Sequence, residues 1–175
     1  VGYAEPLTES LPLHLCGLAA LMTAWVLWQH SYRVHEIAYF WGIGGSLPAL
    51  LTPDLPYDFP HPWYFIFFGG HGLILVGVVY ATVVLGLRPT PRSILRTALA
   101  SLALVGVMLP INLALDANYL YLRAKPEGAT LIDYMGPWPW YILAMIASGL
   151  LVCLLCYAPL AVARHRQPAS TPRPG

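Results

Sequence analysis

A chain of 175 residues that is 58% hydrophobic and 10% charged, with a formal net charge of +1, differs from a soluble domain, where about a quarter of residues carry charge. The mean hydropathy of +0.62 points instead to an all-α, polytopic transmembrane helical bundle. The small net charge, with basic residues confined to loops, excludes a nucleic-acid partner.

Five apolar segments follow one another at 11–28, 36–52, 62–87, 93–116 and 138–163. Each approaches the ~20 residues that a spanning helix needs, the first two being short. Together they make a bundle domain over 1–163, followed by a tail over 164–175 whose Pro168, Pro172 and Pro174 predict disorder. The chain starts at Val1 and enters an apolar span almost at once, so a truncated N-terminus is expected.

The first segment opens on Leu11-Pro12-Leu13-His14-Leu15-Cys16, with Pro12 suited to a first helical position because its missing N–H would be unpaired there. The second holds Gly42, Gly44, Gly45, Ser46 and Pro48, and the third Gly69, Gly70, Gly72 and Gly77. Small residues let membrane helices approach closely, so packing explains most of them. The third segment also carries His71 inside an otherwise uncharged run, roughly 12 Å along the axis from Trp63 at 1.5 Å per residue. An ionisable group within a span is costly to insert and by default marks function. The fourth segment ends with Asn112 and Asp116, four apart and so on one helical face, followed by Asn118 and Tyr119. The fifth opens among Trp138, Trp140 and Tyr141, as an interfacial aromatic belt does. It contains Cys153 and Cys156, whose spacing carries no metal or redox meaning without a nearby His or acid.

Cytoplasmic loops accumulate Lys and Arg. Arg33, Arg88, Arg92, Arg96, Arg164, Arg166 and Arg173 fall on one side, and Arg123 and Lys125 on the other. This seven-to-two split predicts a multi-pass plasma-membrane protein with a cytoplasmic C-terminus. Cys16, His71, Asn112 and Asp116 then converge on the outer leaflet.

Cysteine is a nucleophile as its thiolate, which the unpaired N–H groups of a helix start stabilise. A histidine within reach then serves as base and later as acid, the logic of thiol acyl transfer, which needs neither a cofactor nor a metal. Cys16 and His71 are the candidate catalytic pair. His14 is a shallower candidate, but two positions from Cys16 it points to nearly the opposite side of its helix. Asn112 or Asp116 would orient the imidazole by accepting its other N–H, with Asn118 as a further supporting polar residue. Two alternatives remain open. One is a metal-dependent lipid hydrolase with His14, His71 and Asp116 as ligands, and the other is a transporter or sensor in which His71 and Asn112 line a polar path.

The segments at Leu11–Cys16, Tyr39–Leu55, Phe59–Gly72, Asn118–Pro126 and Gly136–Tyr141 resemble, in order, the YwaF-type bacterial integral membrane family. That family is similar to a eukaryotic transmembrane family with ether-phospholipid acyltransferase activity. The resemblance implies about seven helices, two of them before Val1. It also implies a Cys/His pair falling on Cys16 and His71, with membrane phospholipids or lysophospholipids as partners.

Overall fold

The computed structural model describes residues 13–53, 55, 57–126 and 130–165. Pro12 and the tail from 166 onward lie outside the described residues. Five helices follow in order: α1 Leu15–Gln29, α2 Tyr32–Leu51, α3 Pro62–Val83, α4 Pro91–Leu115 and α5 Trp140–His165. Two 3-10 turns, Tyr119–Tyr121 and Leu131–Met135, lie in the α4–α5 connection.

Local chemistry sets the boundaries where hydropathy alone misplaced them. Helix α2 begins four residues earlier than its apolar run, because Arg33, His35 and Glu36 continue the helix although they interrupt the hydrophobic pattern. Helix α4 begins at Pro91, with Thr90 and Ser93 closing a reciprocal capping box around its first N–H groups. It stops at Leu115 because Asp116 turns left-handed, at φ 50°, a conformation that Asp tolerates better than most residues. Helix α3 ends at Val83 rather than near Leu87, and the N–H groups of Leu85 and Leu87 fold back onto the carbonyls of Tyr80 and Ala81. Gly86 supplies the required φ of 71°.

Helices α3, α4 and α5 are long and apolar enough to cross a membrane. Helix α1, with 15 residues, is roughly 22 Å long and so shorter than a ~30 Å hydrocarbon core. The outward surfaces of α4 and α5 carry Leu95, Leu99, Leu102, Leu113, Leu151 and Leu155 exposed, which hydrocarbon accommodates and water would not.

Helix α2 is the hub, packed against all four other helices. Its Ala38, Tyr39 and Phe40 form one buried cluster with Val26, Val78 and Ala81, while Trp41 joins Ala19 and Ile74 in another. Close approach depends on particular glycines. A methyl group on Gly77 would stand 2.5 Å from Thr23 Cγ2, and one on Gly42 3.1 Å from both Ile74 and Val78. By contrast, Gly69, Gly70 and Gly72 have open space where a Cβ would go.

A polar lock joins α2 to α4 at the end where α4 begins. Glu36 is fully buried; Arg96 Nη1 donates to both of its oxygens at 2.7 and 2.6 Å, and Ser93 Oγ donates at 2.5 Å. Thr97 adds a bond to the Glu36 carbonyl at 3.2 Å. Ser93, Arg96 and Thr97 stand at i, i+3 and i+4, on one face of α4. Beside them, His35 Nε2 meets Thr82 Oγ1 of α3 at 3.0 Å.

Two stability effects are expected. Gly77→Ala should destabilise the protein by about 1–3 kcal/mol through overpacking against Thr23, whereas Gly72→Ala should be neutral or stabilising by roughly 0.5–1 kcal/mol. Thermal unfolding of the detergent-purified variants tests this, and equal losses at the two glycines would contradict the packing account. Arg96→Ala leaves the buried Glu36 carboxylate without its cation, at a cost of about 3 kcal/mol. Combining it with Glu36→Gln should recover part of that loss in the same assay.

Candidate functional site

A cavity of about 580 Å³ opens at the end of the bundle opposite the Glu36–Arg96 lock. Its volume lies within the usual range for small-molecule sites. The walls come from the start of α1, the last two turns of α2, the first half of α3 and the middle of α5. The α4–α5 connection covers it with Leu120, Tyr121, Pro126, Thr130, Leu131, Ile132 and Met135.

Cys16, His71 and His14 all line this one cavity. Cys16 is the second residue of α1, where the first four N–H groups have no partner within the helix. Its Sγ packs so closely on α2 that a Cβ at Gly45 would stand 3.1 Å from it. Any larger residue at position 45 would therefore displace the thiol. His14 is the N-cap of α1, and its ring sits 5.4 Å from the Tyr119 ring and 5.6 Å from the Tyr121 ring. This contact ties the start of α1 to the cavity's cover.

His71 projects from α3, and its Nδ1 bonds the Phe67 carbonyl one turn back at 2.8 Å. A carbonyl only accepts, so Nδ1 carries a proton in this contact, and the neutral ring then keeps its lone pair on Nε2. The Phe67 ring, centred 4.4 Å from the imidazole, restricts it further. The orienting acceptor is therefore a backbone carbonyl on the histidine's own helix, rather than a side chain of α4.

Asn112 and Asp116 have other partners. Asn112 is fully buried; its Nδ2 donates to the Tyr119 carbonyl at 2.9 Å and its Oδ1 accepts from the Tyr119 N–H at 2.7 Å. Asp116 has a side chain 90% exposed and pairs with Arg123 at 2.7 Å. Asn118 folds the following loop, accepting from the N–H groups of Arg123 and Ala124 and donating to the Ala124 carbonyl. All three shape the cover, and none of them lines the cavity. The ligand set of a metal-dependent hydrolase is likewise not assembled. Asp116 lies outside the cavity, and among the described residues no three His, Cys, Asp or Glu side chains gather as a metal site would require.

The cover is held in a strained form. Leu120 and Tyr121 are consecutive non-glycine residues at φ 59° and 53°, a conformation that costs roughly 1–2 kcal/mol per residue. Hydrogen bonds compensate on both sides: Asn112 fixes Tyr119, the Tyr141 hydroxyl donates to the Tyr121 carbonyl at 2.6 Å, and Trp138 Nε1 to the Leu122 carbonyl at 3.3 Å. Backbone strain of this kind concentrates at ligand sites. The sequence reading assigned Tyr141 and Trp138 only to an interfacial belt and overlooked this role. It is legible only once the turn they bond to is known.

Thiol, imidazole and strained cover stand around one cavity at one end of a helical bundle, three of whose helices are long and apolar enough to cross a membrane, as in a membrane protein. A model of the TMEM164 family matches residues 1–157, and the chain belongs to that family. No curated protein and no solved structure matches it.

Replacing Asn112 by Leu should leave the Tyr119 N–H and carbonyl buried without their side-chain partner, lowering stability by about 2–4 kcal/mol. Limited proteolysis at Arg123 should accelerate in step with the loss of thermal stability. Unchanged cleavage at Arg123 would show that the turn holds without Asn112.

Proposed function

We propose that this chain is a membrane-embedded lipid acyltransferase or transacylase in which Cys16 is the nucleophile and His71 the general base and acid. One observation carries the reading: a thiol at a helix start and an imidazole anchored through Nδ1 to the Phe67 carbonyl line the same cavity. Membership of the TMEM164 family is consistent with it, as is the resemblance to the YwaF-type bacterial family and its ether-phospholipid acyltransferase relatives.

The chemistry runs in two balanced halves. His71 Nε2 takes the Cys16 proton, and the thiolate attacks the carbonyl carbon of a phospholipid acyl ester. The ester C–O bond breaks, and the departing alkoxide takes the proton back from the imidazolium, leaving an acyl thioester on Cys16. A lysophospholipid hydroxyl then gives its proton to His71 and attacks the thioester carbonyl. The C–S bond breaks, and the imidazolium returns its proton to the thiolate. Water in place of the lysophospholipid would make the same machinery an esterase. General base catalysis by a positioned imidazole contributes typically 10²–10⁴-fold. The Phe67 carbonyl helps by fixing the tautomer before substrate arrives.

The distribution of basic residues orients the cavity end toward the outer leaflet of the plasma membrane and leaves the C-terminus in the cytoplasm. Substrate and acceptor would accordingly be lipids of that leaflet.

Labelling with a thiol-reactive acyl probe in native membranes tests the assignment. Cys16→Ala should abolish labelling, and His71→Ala should slow it at least about 100-fold. The double variant Cys153→Ala/Cys156→Ala should label as wild type does. A rate at Cys16 indifferent to His71 would end the thiol–imidazole reading, leaving Cys16 as a packing residue under Gly45.

A further inference from the structure

A second cavity, of about 300 Å³, lies between α2, α4 and α5. It shares Leu15, Gly44, Leu120, Met145 and Gly149 with the Cys16–His71 cavity, so the two adjoin along a common wall. From that wall it extends along α4 from Val105 back to Ile94, a length of roughly 16 Å at 1.5 Å per residue. Its outer edge is open, since Leu102, Ile146 and Leu150 are exposed. The lining is hydrocarbon apart from two hydroxyls, the Trp41 indole N–H and the Cys153 thiol. Thr97 donates to the Glu36 carbonyl, and Ser101 Oγ accepts from Trp41 Nε1 at 2.9 Å. No charged side chain lines it.

The geometry points to this groove as the seat of a single long acyl chain, that of the ester whose carbonyl lies at Cys16. We infer further that Gly149, on the shared wall, sets how long a chain is accepted. This rests on the acyl-transfer reading of Cys16 and His71. The occupant is argued from continuity and shape. A charged ligand finds no counter-charge in the groove, and an apolar groove adjoining the cavity that holds Cys16 matches the chain of an ester whose carbonyl lies at that thiol. Lipid tails are as apolar as the groove, so seating a tail there adds little hydrophobic free energy. Its contribution is positional: a chain held along α4 fixes the ester carbonyl beside the thiol. A Cβ on Gly149 would meet nothing within 4 Å, so the absence of a side chain there leaves the passage clear rather than allowing helices to touch. Ala98, near the far end of the groove, plays the same part for the last carbons of the chain.

Thiol-reactive acyl probes carrying butanoyl, octanoyl and hexadecanoyl chains, applied to the full chain in membranes, separate the possibilities. In wild type the hexadecanoyl probe should label Cys16 fastest. Gly149→Phe should slow it at least about tenfold more than it slows the butanoyl probe, since each methylene refused by an apolar pocket is worth about tenfold or more. Ala98→Phe should slow only the hexadecanoyl probe. If Gly149→Phe also abolishes butanoyl labelling, Ala98→Phe, remote from the thiol, decides the question. Equal effects of Ala98→Phe on all three probes would overturn the groove while leaving the Cys16–His71 pair intact. Wild-type Cys16 that reacts with no probe would instead remove the acyl-transfer reading. A fatty acid bearing a diazirine at its chain end then tests the groove alone. Photo-crosslinks at Ala98, Leu102 and Ile146 would sustain it, whereas crosslinks confined to other faces, or a disulfide trap showing another helix seated there, would overturn it.

Discussion

Inside hydrocarbon a polar group has no water to fall back on, and every one that is buried needs a partner within the chain. That constraint organises this structure at each level. Thr23 and Thr82 bond carbonyls one turn back on their own helices, as Thr52 does at the end of α2. His71 obeys the same rule through Phe67, and the result is a ring with a defined tautomer. Satisfying the donor and preparing the base are therefore one contact. Asn112 meets the constraint in the opposite sense: its amide matches the N–H and carbonyl of Tyr119 where the chain leaves α4.

The cavity follows from an uneven distribution of small residues. Where Gly42 and Gly77 meet Ile74, Val78 and Thr23, α1, α2 and α3 close to contact. Toward the Cys16 end Gly45 still allows contact, with the thiol, but Gly149, on the cavity wall, has nothing within 4 Å of where a Cβ would stand. Pro48 and Pro110 lie inside helices, and Pro48 lines the cavity. Proline within a helix removes a backbone bond and bends the axis, which favours divergence where Pro48 sits. The bundle is tight at one end and parted at the other, and the parted end holds the thiol and imidazole.

Much of the architecture was legible in the sequence. The order of five helices followed from apolar runs separated by proline, glycine and charge, and His71 stood out because nothing else in its span ionises. The errors have physical causes. Hydropathy began the second segment at Glu36, whereas the helix starts four residues earlier at Tyr32 and buries Glu36, whose carboxylate Ser93 and Arg96 satisfy. The pattern of Ser93, Arg96 and Thr97 on one face of α4 was readable, but their partner sixty residues earlier was not. Asp116 looked like a third member of the site because it follows Asn112 by four. Its backbone conformation shows that its place is the end of α4, where a residue tolerant of positive φ is needed. The groove beside the cavity could not be foreseen, since Gly149 reads as packing until its open surroundings are seen.

The two ends of the bundle differ in how they are held. At one end, Glu36, Ser93, Arg96, His35 and Thr82 link α2, α3 and α4 through side chains mostly buried in the bundle. At the other, Asn112, Tyr141 and Trp138 hold the backbone around the strained turn at Leu120 and Tyr121. Strained segments fixed by a few hydrogen bonds open at lower free energy than a packed core. Motion is thus directed to the cover, which carries Tyr121, and away from α3, which carries His71. The proposed acyl transfer would benefit from that division, because Cys16 and His71 would have to keep their geometry while a bulky substrate entered and left. The Glu36–Arg96 lock, at the end opposite the Cys16–His71 cavity, ties α2 to α4.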